Sequence, residues 1–395
     1  MTKKARTKQK LAQSEHIEEI QNPEAETSLE DETVMDENIE TEGDDTAEVK
    51  VRASGPRGAL LVGIDLGTCR TAASSNRGAR LMVRSVVGYP KDIISRKMVG
   101  KGPIFGKAAI KKRNFLNLCF PLADGVIQEA NARDYKAAKE LVTFVIEQAK
   151  QGEDLDVHGV IGIPARASIA NKELLLRIAG EMMSLSLVVS EPFMVAYQMD
   201  KLDNCIVIDI GAGTVDICGM KGTIPAPEDQ VTMLKGGDFI DERLAAAIAR
   251  RYHGVQITRS VACGIKEAHS FVGEPEEPVI VTLRADGKPM QYDVTDEIRS
   301  VCESIVPDIV EHIETVIMKF DPEQQEETLK NIILAGGGSH IRGLDAMIEE
   351  QLQEYGDIEV TCVEDPDFVG SAGALQLAEE VPVDQWHELG LMSET

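Results

Sequence analysis

Short apolar runs and helically spaced apolar positions alternate along this chain from about Gly58 onward. Runs of β-branched residues bounded by glycine are typical of strands, whereas apolar residues that recur every three or four positions are typical of helices. Three strand-like runs, at 59–65, 71–75 and 80–83, predict an antiparallel meander. The pattern next predicts a helix at 131–149, a buried strand at Val157–Ile163, a helix at 168–184, a strand at 187–189 and a helix that opens at Glu191-Pro192.

The second half of the chain repeats this order. Strand-like runs at 205–209, 215–220 and 230–234 predict another meander, and a helix follows at 239–251. Beyond it the pattern predicts strands at 278–284, 288–293 and Ile332–Ala335, one long helix at 295–319, and helices near 343–353 and 371–379. Because meanders and strand–helix crossovers occur in both halves, we expect an α/β architecture that is built twice.

Composition separates the N-terminal segment from the rest. Residues 1–50 begin with a lysine-rich stretch and continue with a run of Asp and Glu, and they contain few large apolar side chains. Such a segment buries too little surface to offset its chain entropy, so residues 1–57 are expected to be a disordered charged arm. Two interpretations stay open: a solvated tail, or an arm whose basic end binds an acidic partner.

Charge and cysteine usage narrow the functional classes. A net charge of −26 argues against nucleic acid as a general partner, since a surface that follows phosphates needs clustered Lys and Arg. The seven cysteines are scattered and include no Cys-x-x-Cys pair, which is typical of reduced thiols in a cytoplasmic protein. No stretch approaches the roughly 18 apolar residues of a spanning helix, so we expect a cytoplasmic protein without direct membrane insertion.

The candidate chemistry lies in an internal repeat. The segment Gly63-Ile64-Asp65-Leu66-Gly67-Thr68 matches residues 207–214, in which Asp209 is followed by Gly211, Gly213 and Thr214. In each copy an apolar strand ends in Asp and enters a glycine-containing turn with Thr, where successive backbone amides can bind an anion. A carboxylate beside a polyphosphate needs a cation between them, so Asp65 and Asp209 are predicted to hold Mg²⁺, through its water ligands.

Further glycine clusters fit the same ligand. Gly336, Gly337 and Gly338, followed by Ser339, come after the predicted strand Ile332–Ala335 and are expected to approach the adenosine and α-phosphate. Gly236 and Gly237 precede a helix whose amides could add donors to the phosphates. The chain contains no G-x-x-x-x-G-K-[ST] loop, and the third glycine of a dinucleotide fingerprint is missing.

With these residues in place the chain resembles the actin superfamily. Its phosphate-1, connect-1, phosphate-2, adenosine and connect-2 segments correspond in order to residues 63–71, 160–168 with 190–192, 207–217, 332–344 and 369–375. Within this superfamily, one branch is similar in its residue sequence, the actins of magnetosomes. The similar segments are 85–92, 161–168, 189–195 and 227–232. The resemblance implies the actin/Hsp70/hexokinase-like (ribonuclease H-like) fold, with two related domains that flank a nucleotide cleft.

The resemblance also implies a function and residue roles. It implies an ATPase that uses ATP and Mg²⁺, assembles with itself into cytoskeletal filaments, and positions magnetosomes through magnetosome-associated proteins. Asp65 and Asp209 match the Mg²⁺-ATP aspartates, and Glu191 matches the residue that positions or activates the attacking water. Asp216 matches a further polar position near that water. Lys266 and Glu267 match a pair that contacts the nucleoside; the alternative for them is an ordinary solvated helix face.

Other members of the fold class remain as alternatives. A sugar-kinase-like phosphotransferase or a non-polymerising ATPase would use the same cleft, and an Hsp70-like ATPase would need an additional substrate-binding domain. For the filament-forming reading we expect actin-like domains at 58–195 and 196–370, followed by a C-terminal helix and tail at 371–395 that return to the first domain.

Overall fold

The computed structural model describes residues 58–127, 132–389 and the backbone of 391–394. The predicted N-terminal arm therefore lies outside the described residues. The strands are β1 (Leu60–Leu66), β2 (Arg70–Ser75), β3 (Arg80–Arg84), β4 (Val87–Pro90), β5 (Ile104–Phe105), β6 (Leu116–Cys119), β7 (Leu122–Ala123), β8 (Val126–Ile127), β9 (Val157–Ile163), β10 (Leu185–Ser190), β11 (Asp203–Ile210), β12 (Val215–Lys221), β13 (Gln230–Met233), β14 (Val255–Gln256), β15 (Ile280–Ala285), β16 (Lys288–Asp293), β17 (Ile332–Ala335), β18 (Val360–Cys362) and β19 (Leu391–Glu394).

Helices lie between the strands along both halves of the chain. They are α1 (Ile93–Val99), α2 (Gly106–Lys111), α3 (Ala132–Lys150), α4 (Ile169–Ala179), α5 (Glu191–Gln198), α6 (Gly237–Arg251), α7 (Arg259–His269), α8 (Thr295–Glu303), α9 (Val306–Ile317), α10 (Pro322–Leu329), α11 (Leu344–Leu352), α12 (Val369–Glu380) and α13 (Trp386–Leu389). Over the described ranges, none of them combines the length and the apolar character that crossing a bilayer would require.

Two sheets share one strand order. The first runs β3-β2-β1-β9-β10 and adds β19 at its edge, and the second runs β13-β12-β11-β17-β18. In each sheet three strands form an antiparallel meander and two further strands add in parallel. The central strands β1 and β11 contain the uninterrupted runs Leu60–Ile64 and Cys205–Ile208, which lack polar side chains because these segments are covered on both faces. The equal order confirms the predicted duplicated α/β architecture.

A shared core lies between the sheets. Buried residues of both, such as Leu187 from β10 and Val207 from β11, belong to one apolar cluster together with α5 and α12. The helix α12 is rich in small residues and approaches α5 so closely that a Cβ added at Gly373 would lie 1.9 Å from the carbonyl oxygen of Met194. The absence of a side chain at Gly373 is therefore a packing requirement.

Two predicted helices differ from the structure by more than two residues. The predicted single helix at 295–319 is wrong: it is interrupted at Ser304 and Ile305, between α8 and α9. Pro307 lies in the first turn of α9, where its missing N–H group is tolerated. In a continuous helix that N–H group would be needed for a hydrogen bond to the preceding turn. The helix predicted at 168–184 ends at Ala179, before Gly180.

The close approach at Gly373 generates a stability prediction. We expect Gly373→Ala to lower the free energy of unfolding by about 1–3 kcal/mol, because the added methyl group must push α12 away from α5. Gly264 is the matched control, since it lies on the exposed face of α7 with no atom near its Cβ position. Gly264→Ala should leave stability unchanged or raise it by up to about 1 kcal/mol. Urea unfolding of both variants measures the difference, and equal effects would contradict the packing argument.

Candidate functional site

A cavity of about 310 Å³ opens between the two sheets, at the ends of β1, β11 and β17. Most residues predicted from the sequence line it: Asp65, Gly67, Thr68, Glu191, Asp209, Gly211, Gly213, Thr214, Gly237, Lys266, Glu267, Gly336, Gly337 and Gly338. Asp216, Gly236 and Ser339 were predicted with them but are not part of the lining. The sequence repeat therefore identified one spatial site from segments far apart in the chain.

The two glycine-containing turns lie against each other at the cavity. In the second turn the Gly211 N–H donates to the carbonyl oxygen of Thr214 over 2.9 Å. In the first, the Thr68 hydroxyl accepts a hydrogen bond from the Gly125 N–H over 2.7 Å. A Cβ added at Gly213 would lie 2.6 Å from the same hydroxyl oxygen, so the turns are in contact. The contact of the two turns forms the floor of the cavity.

The third glycine cluster lies beside the second aspartate. Gly336 has φ +72° and its Cβ position would be 2.2 Å from Oδ1 of Asp209, so no other residue fits there. Gly337 has open space at its Cβ position and lines the cavity. Ser339 instead turns back, and its hydroxyl donates to the carbonyl oxygen of Gly336 over 2.8 Å. The cluster thus exposes glycine backbone to the cavity while Ser339 closes the turn.

Three carboxylates converge on the cavity floor. Burial raises the pKa of Asp65 to about 6. Burial, and then the charges of Asp65 and Asp216, raise the pKa of Asp209 to about 8. The pKa of Glu191 is raised well above its usual value, first by burial and then by the neighbouring aspartates. Its Oε1 atom is buried and has no hydrogen-bond partner among the described residues. Such a cluster favours a cation or a bound proton.

Asp216 has a different geometry from the other predicted catalytic residues. It lies opposite Asp209 in the β11–β12 ladder but is only 1% exposed. Its Oδ1 accepts hydrogen bonds from the Ala165 N–H over 2.9 Å and from the Thr232 hydroxyl over 2.5 Å. The carboxylate therefore ties the segment after β9 to the second meander, and it does not face the cavity.

The N-terminus of α6 was predicted to donate hydrogen bonds to phosphates, but in the structure its amides have other partners. The N–H groups of Gly237 and Asp238 donate to the carbonyl oxygens of Gly211 and Ala212 over 2.9 and 2.8 Å. These amides were expected to be free for an anion, but they hold the second turn in place. The geometry arises because helix N-termini carry unpaired donors that any nearby carbonyl can satisfy.

Ion pairs at the cavity mouth were not predicted. Arg70, at the start of β2, donates to Glu267 on α7 over 2.8 Å and to Asp367 over 3.0 Å, so it bridges the two halves. Lys266 lies 2.8 Å from Asp241 and donates to the Gly237 carbonyl oxygen. Lys266 and Glu267 thus have separate partners. A cation directly after Gly67-Thr68-Cys69 was the only local signal for Arg70, whereas its partners lie in the other half of the chain.

These features define the class of protein. Two halves with one strand order, each contributing a glycine-containing hairpin and an aspartate to a shared cavity, constitute the actin fold. The family model described as MreB/Mbl protein matches residues 60–385, and the chain belongs to this family.

Individual relatives agree with this assignment. The actin-like protein MamK of Paramagnetospirillum magneticum is 51% identical over 334 residues, which cover 85% of this chain and 96% of the relative. A structure of the MamK double helical filament superimposes with a TM-score of 0.80 at 51% identity and covers 82% of this chain and 99% of that one. A non-polymerising MamK mutant bound to AMPPNP gives a TM-score of 0.66 at 50% identity, covering 82% of this chain and all of the other.

The carboxylate cluster generates a pH prediction for the ligand-free protein. The native pKa values of Asp65 and Asp209, about 6 and about 8, lie above those of an unfolded chain, near 4. Between these values the native state binds more protons at these two groups than the unfolded state does, so their contribution to stability falls as pH rises from about 4 to about 8. We expect Asp209→Asn to raise the free energy of unfolding at pH 8.5 by at least about 1 kcal/mol, and by much less at pH 5.

Unfolding curves at the two pH values test this directly. Asp384 is exposed and distant in sequence from the site, so Asp384→Asn serves as the control for loss of one negative charge. A stabilisation by Asp209→Asn that is equal at both pH values, or equal to that of the control, would be inconsistent with a raised pKa.

Proposed function

We propose that this chain binds ATP with Mg²⁺ in the cavity, hydrolyses it to ADP and phosphate, and assembles with itself into filaments that position magnetosomes. The paired hairpins that deliver Asp65 and Asp209 to one cavity carry the nucleotide part of the proposal. The similarity to MamK over most of the chain supports the filament and magnetosome parts. The proposal makes the protein a cytoskeletal ATPase whose location is the cytoplasm beside magnetosomes.

Different lining residues suit different parts of the nucleotide. Backbone amides of the turns that contain Gly67 and Gly211 suit the phosphates, with the Thr68 and Thr214 hydroxyls as further donors. The open backbone at Gly337 suits the flat adenine. Glu267 can accept hydrogen bonds from ribose hydroxyls in addition to its ion pair with Arg70. A pocket with fixed polar groups at one end and glycine backbone at the other matches a nucleoside triphosphate.

The donor set also fits Mg²⁺. Asp65 and Asp209 would hold the ion, and its positive charge would offset the cost of burying these carboxylates, which raises their pKa values. Among the described residues no three Asp, Glu, His or Cys side chains converge closely enough to bind one metal ion directly. Mg²⁺ keeps several waters and binds phosphate oxygens, so two outer carboxylates are a suitable set. When bound, the ion neutralises charge that develops on the phosphates.

Glu191 is the residue proposed to act on water. It is the first residue of α5, and its free Oε1 atom needs a hydrogen-bond donor that the surrounding protein does not supply. A water molecule in front of the terminal phosphate can be that donor, and the carboxylate then orients it and receives its proton. Asp216 acts as a positioning residue, since it fixes the segment at Ala165 against the second meander.

Substitution of Glu191 tests the hydrolysis step. We expect Glu191→Ala to keep nucleotide binding and assembly but to slow ATP turnover by at least about 100-fold, the usual range for loss of an acid–base group. Filaments of the variant should therefore persist after wild-type filaments have disassembled. Phosphate release and light scattering measure the two effects. Glu153→Ala, at an exposed loop position, is the control, and wild-type turnover in Glu191→Ala would refute the role.

Assembly itself has a direct test. The full chain should sediment as polymer with ATP and Mg²⁺, should do so less with ADP or after hydrolysis, and should appear as filaments by electron microscopy. Nucleotide without Mg²⁺ should support less polymer, because the carboxylates would then repel the phosphates. Absence of polymer under every nucleotide and salt condition would refute the filament part while leaving nucleotide binding intact.

A further inference from the structure

Two arginines of the first sheet are directed at one carboxylate of the second half. Arg70 begins β2 and donates to Oε1 of Glu267 on α7 over 2.8 Å. Arg84 ends β3 and lies 3.5 Å from the same oxygen. The buried residues of α7, Ala262 and Ile265, belong to the apolar core of the second half. The carboxylate therefore links the first sheet to a helix of the other half.

The two arginines are cross-strand neighbours. Arg70 pairs with Arg84 in the β2–β3 ladder, so both side chains leave the same face of the sheet at the same level. Like charges in directly opposite positions destabilise a sheet, because the side chains lie close together. The Glu267 carboxylate contributes a negative charge to both guanidinium groups. The pair on the first sheet is therefore stabilised by an acid that the second half supplies.

Each guanidinium is also anchored by a group near its own sheet. Nη1 of Arg70 donates to Asp367 over 3.0 Å, and Asp367 lies just before α12, which packs against β1. Nη1 of Arg84 donates to the Cys69 sulfur of the first turn over 2.7 Å. In both arginines the other nitrogen, Nη2, is the one that faces Glu267. Because a guanidinium is a rigid planar fork, fixing one nitrogen orients the other.

This contact lies at the mouth of the cavity. Arg70, Glu267 and Asp367 all line the cavity, and their side chains are 36%, 38% and 42% exposed. The first turn and α7 both contribute lining residues, so movement of α7 away from the first sheet would widen the opening. Such movement must first separate Glu267 from Arg70. Ion pairs with this exposure are individually weak, so the contact can open while both halves stay folded.

We propose that Arg70 and Arg84 hold α7 closed over a bound nucleoside triphosphate through Glu267, and that separation of this contact limits the rate of nucleotide release. Both arginines are positioning residues, since they act through Glu267 and α7. The inference rests on the proposed function, because it concerns the nucleotide in the same cavity. Release should become faster at high salt, since salt screens partly exposed charges.

Dissociation of a fluorescent, adenine-modified ATP analogue, chased with excess ATP, measures this rate. Arg70→Met should speed release about fivefold and Arg84→Met about twofold, as expected for loss of a close and of a more distant ion pair. Arg70→Lys should give an intermediate rate, because an ammonium keeps the charge but lacks the fork. Hydrolysis of prebound ATP in a single turnover should keep the wild-type rate in all three variants.

Arg84 also distinguishes closure from direct contact with the ligand. Arg84 is not part of the cavity lining, so faster release in Arg84→Met cannot arise from a lost contact with the nucleotide. Release at the wild-type rate in both Arg70→Met and Arg84→Met would overturn the inference. Slower single-turnover hydrolysis would overturn it as well, because the arginines would then act on the reaction and not on closure.

Arg80→Met is the matched control. Arg80 lies on β3, as Arg84 does, and it pairs with Asp365 while its guanidinium lies 4.1 Å from the ring centre of Phe368. These contacts join β3 to the segment before α12 and do not involve α7, and Arg80 is not part of the cavity lining. The control should release nucleotide like the wild type. Equal acceleration by Arg80→Met and Arg70→Met would contradict a specific role of the contact with α7.

A second analogue separates closure from recognition of the ribose. Glu267 is also proposed to accept from ribose hydroxyls, which the 2′,3′-dideoxy form of the analogue lacks. Arg70→Met should speed release of both forms by the same factor. If the effect is absent with the dideoxy form, Arg70 only orients Glu267 for the ribose and the inference is wrong.

Binding by the wild type separates this inference from the proposed function. If the wild type binds no analogue with Mg²⁺, the proposed function is refuted, and the inference that rests on it is refuted too. If the wild type binds the analogue but both arginine variants release it at the wild-type rate, the inference alone is refuted. Nucleotide binding by each variant also shows that it is folded.

Discussion

The burial of three carboxyl groups at one cavity floor is the constraint on which the rest of the site depends. Asp65, Asp209 and Glu191 meet at the floor of one cavity, and burial raises the pKa of each, with a further rise at Asp209 and Glu191 from neighbouring aspartates. A protein retains such a cluster when a ligand compensates for it. The backbone around the cluster supplies amides for an anion, so the site lacks only a cation that links the carboxylates to it. The destabilising charges and the proposed ligand thus belong to one arrangement.

The duplicated fold holds the opposing charges together. Each aspartate ends the central strand of its own sheet, and each strand is fixed by partners on both sides. The shared core with α5 and α12 then joins the sheets behind the cavity. Local rearrangement cannot separate the two aspartates, because each is part of a ladder that is buried on both faces. Rigidity of this kind is the condition under which repulsion can persist in a native state.

The sequence predicted the structural features that depend on residues close together in the chain. Strands, turns and the Asp–Gly–Thr repeat follow from local patterns, and β9 and β17 have the predicted bounds. Contacts between the halves were not predictable in this way. Arg70 pairs with Glu267, which is 197 positions away in the chain. Asp216 accepts a hydrogen bond from the Ala165 N–H because the two sheets bring these residues together. The break between α8 and α9 was signalled by Pro307, but the periodicity of apolar residues continues across it.

The cavity is connected by hydrogen bonds to the segment between β3 and β4. The Ser85 hydroxyl donates to the Gly67 carbonyl oxygen over 2.7 Å and its N–H donates to the Cys69 carbonyl oxygen, so the residue between β3 and β4 that follows Arg84 is fixed to the first turn. The same turn contacts the second turn through Thr68 and Gly213. A ligand that orders both turns therefore also fixes the segment that leads into β4. Binding in the cavity would then favour the arrangement in which the two turns and this segment are held together.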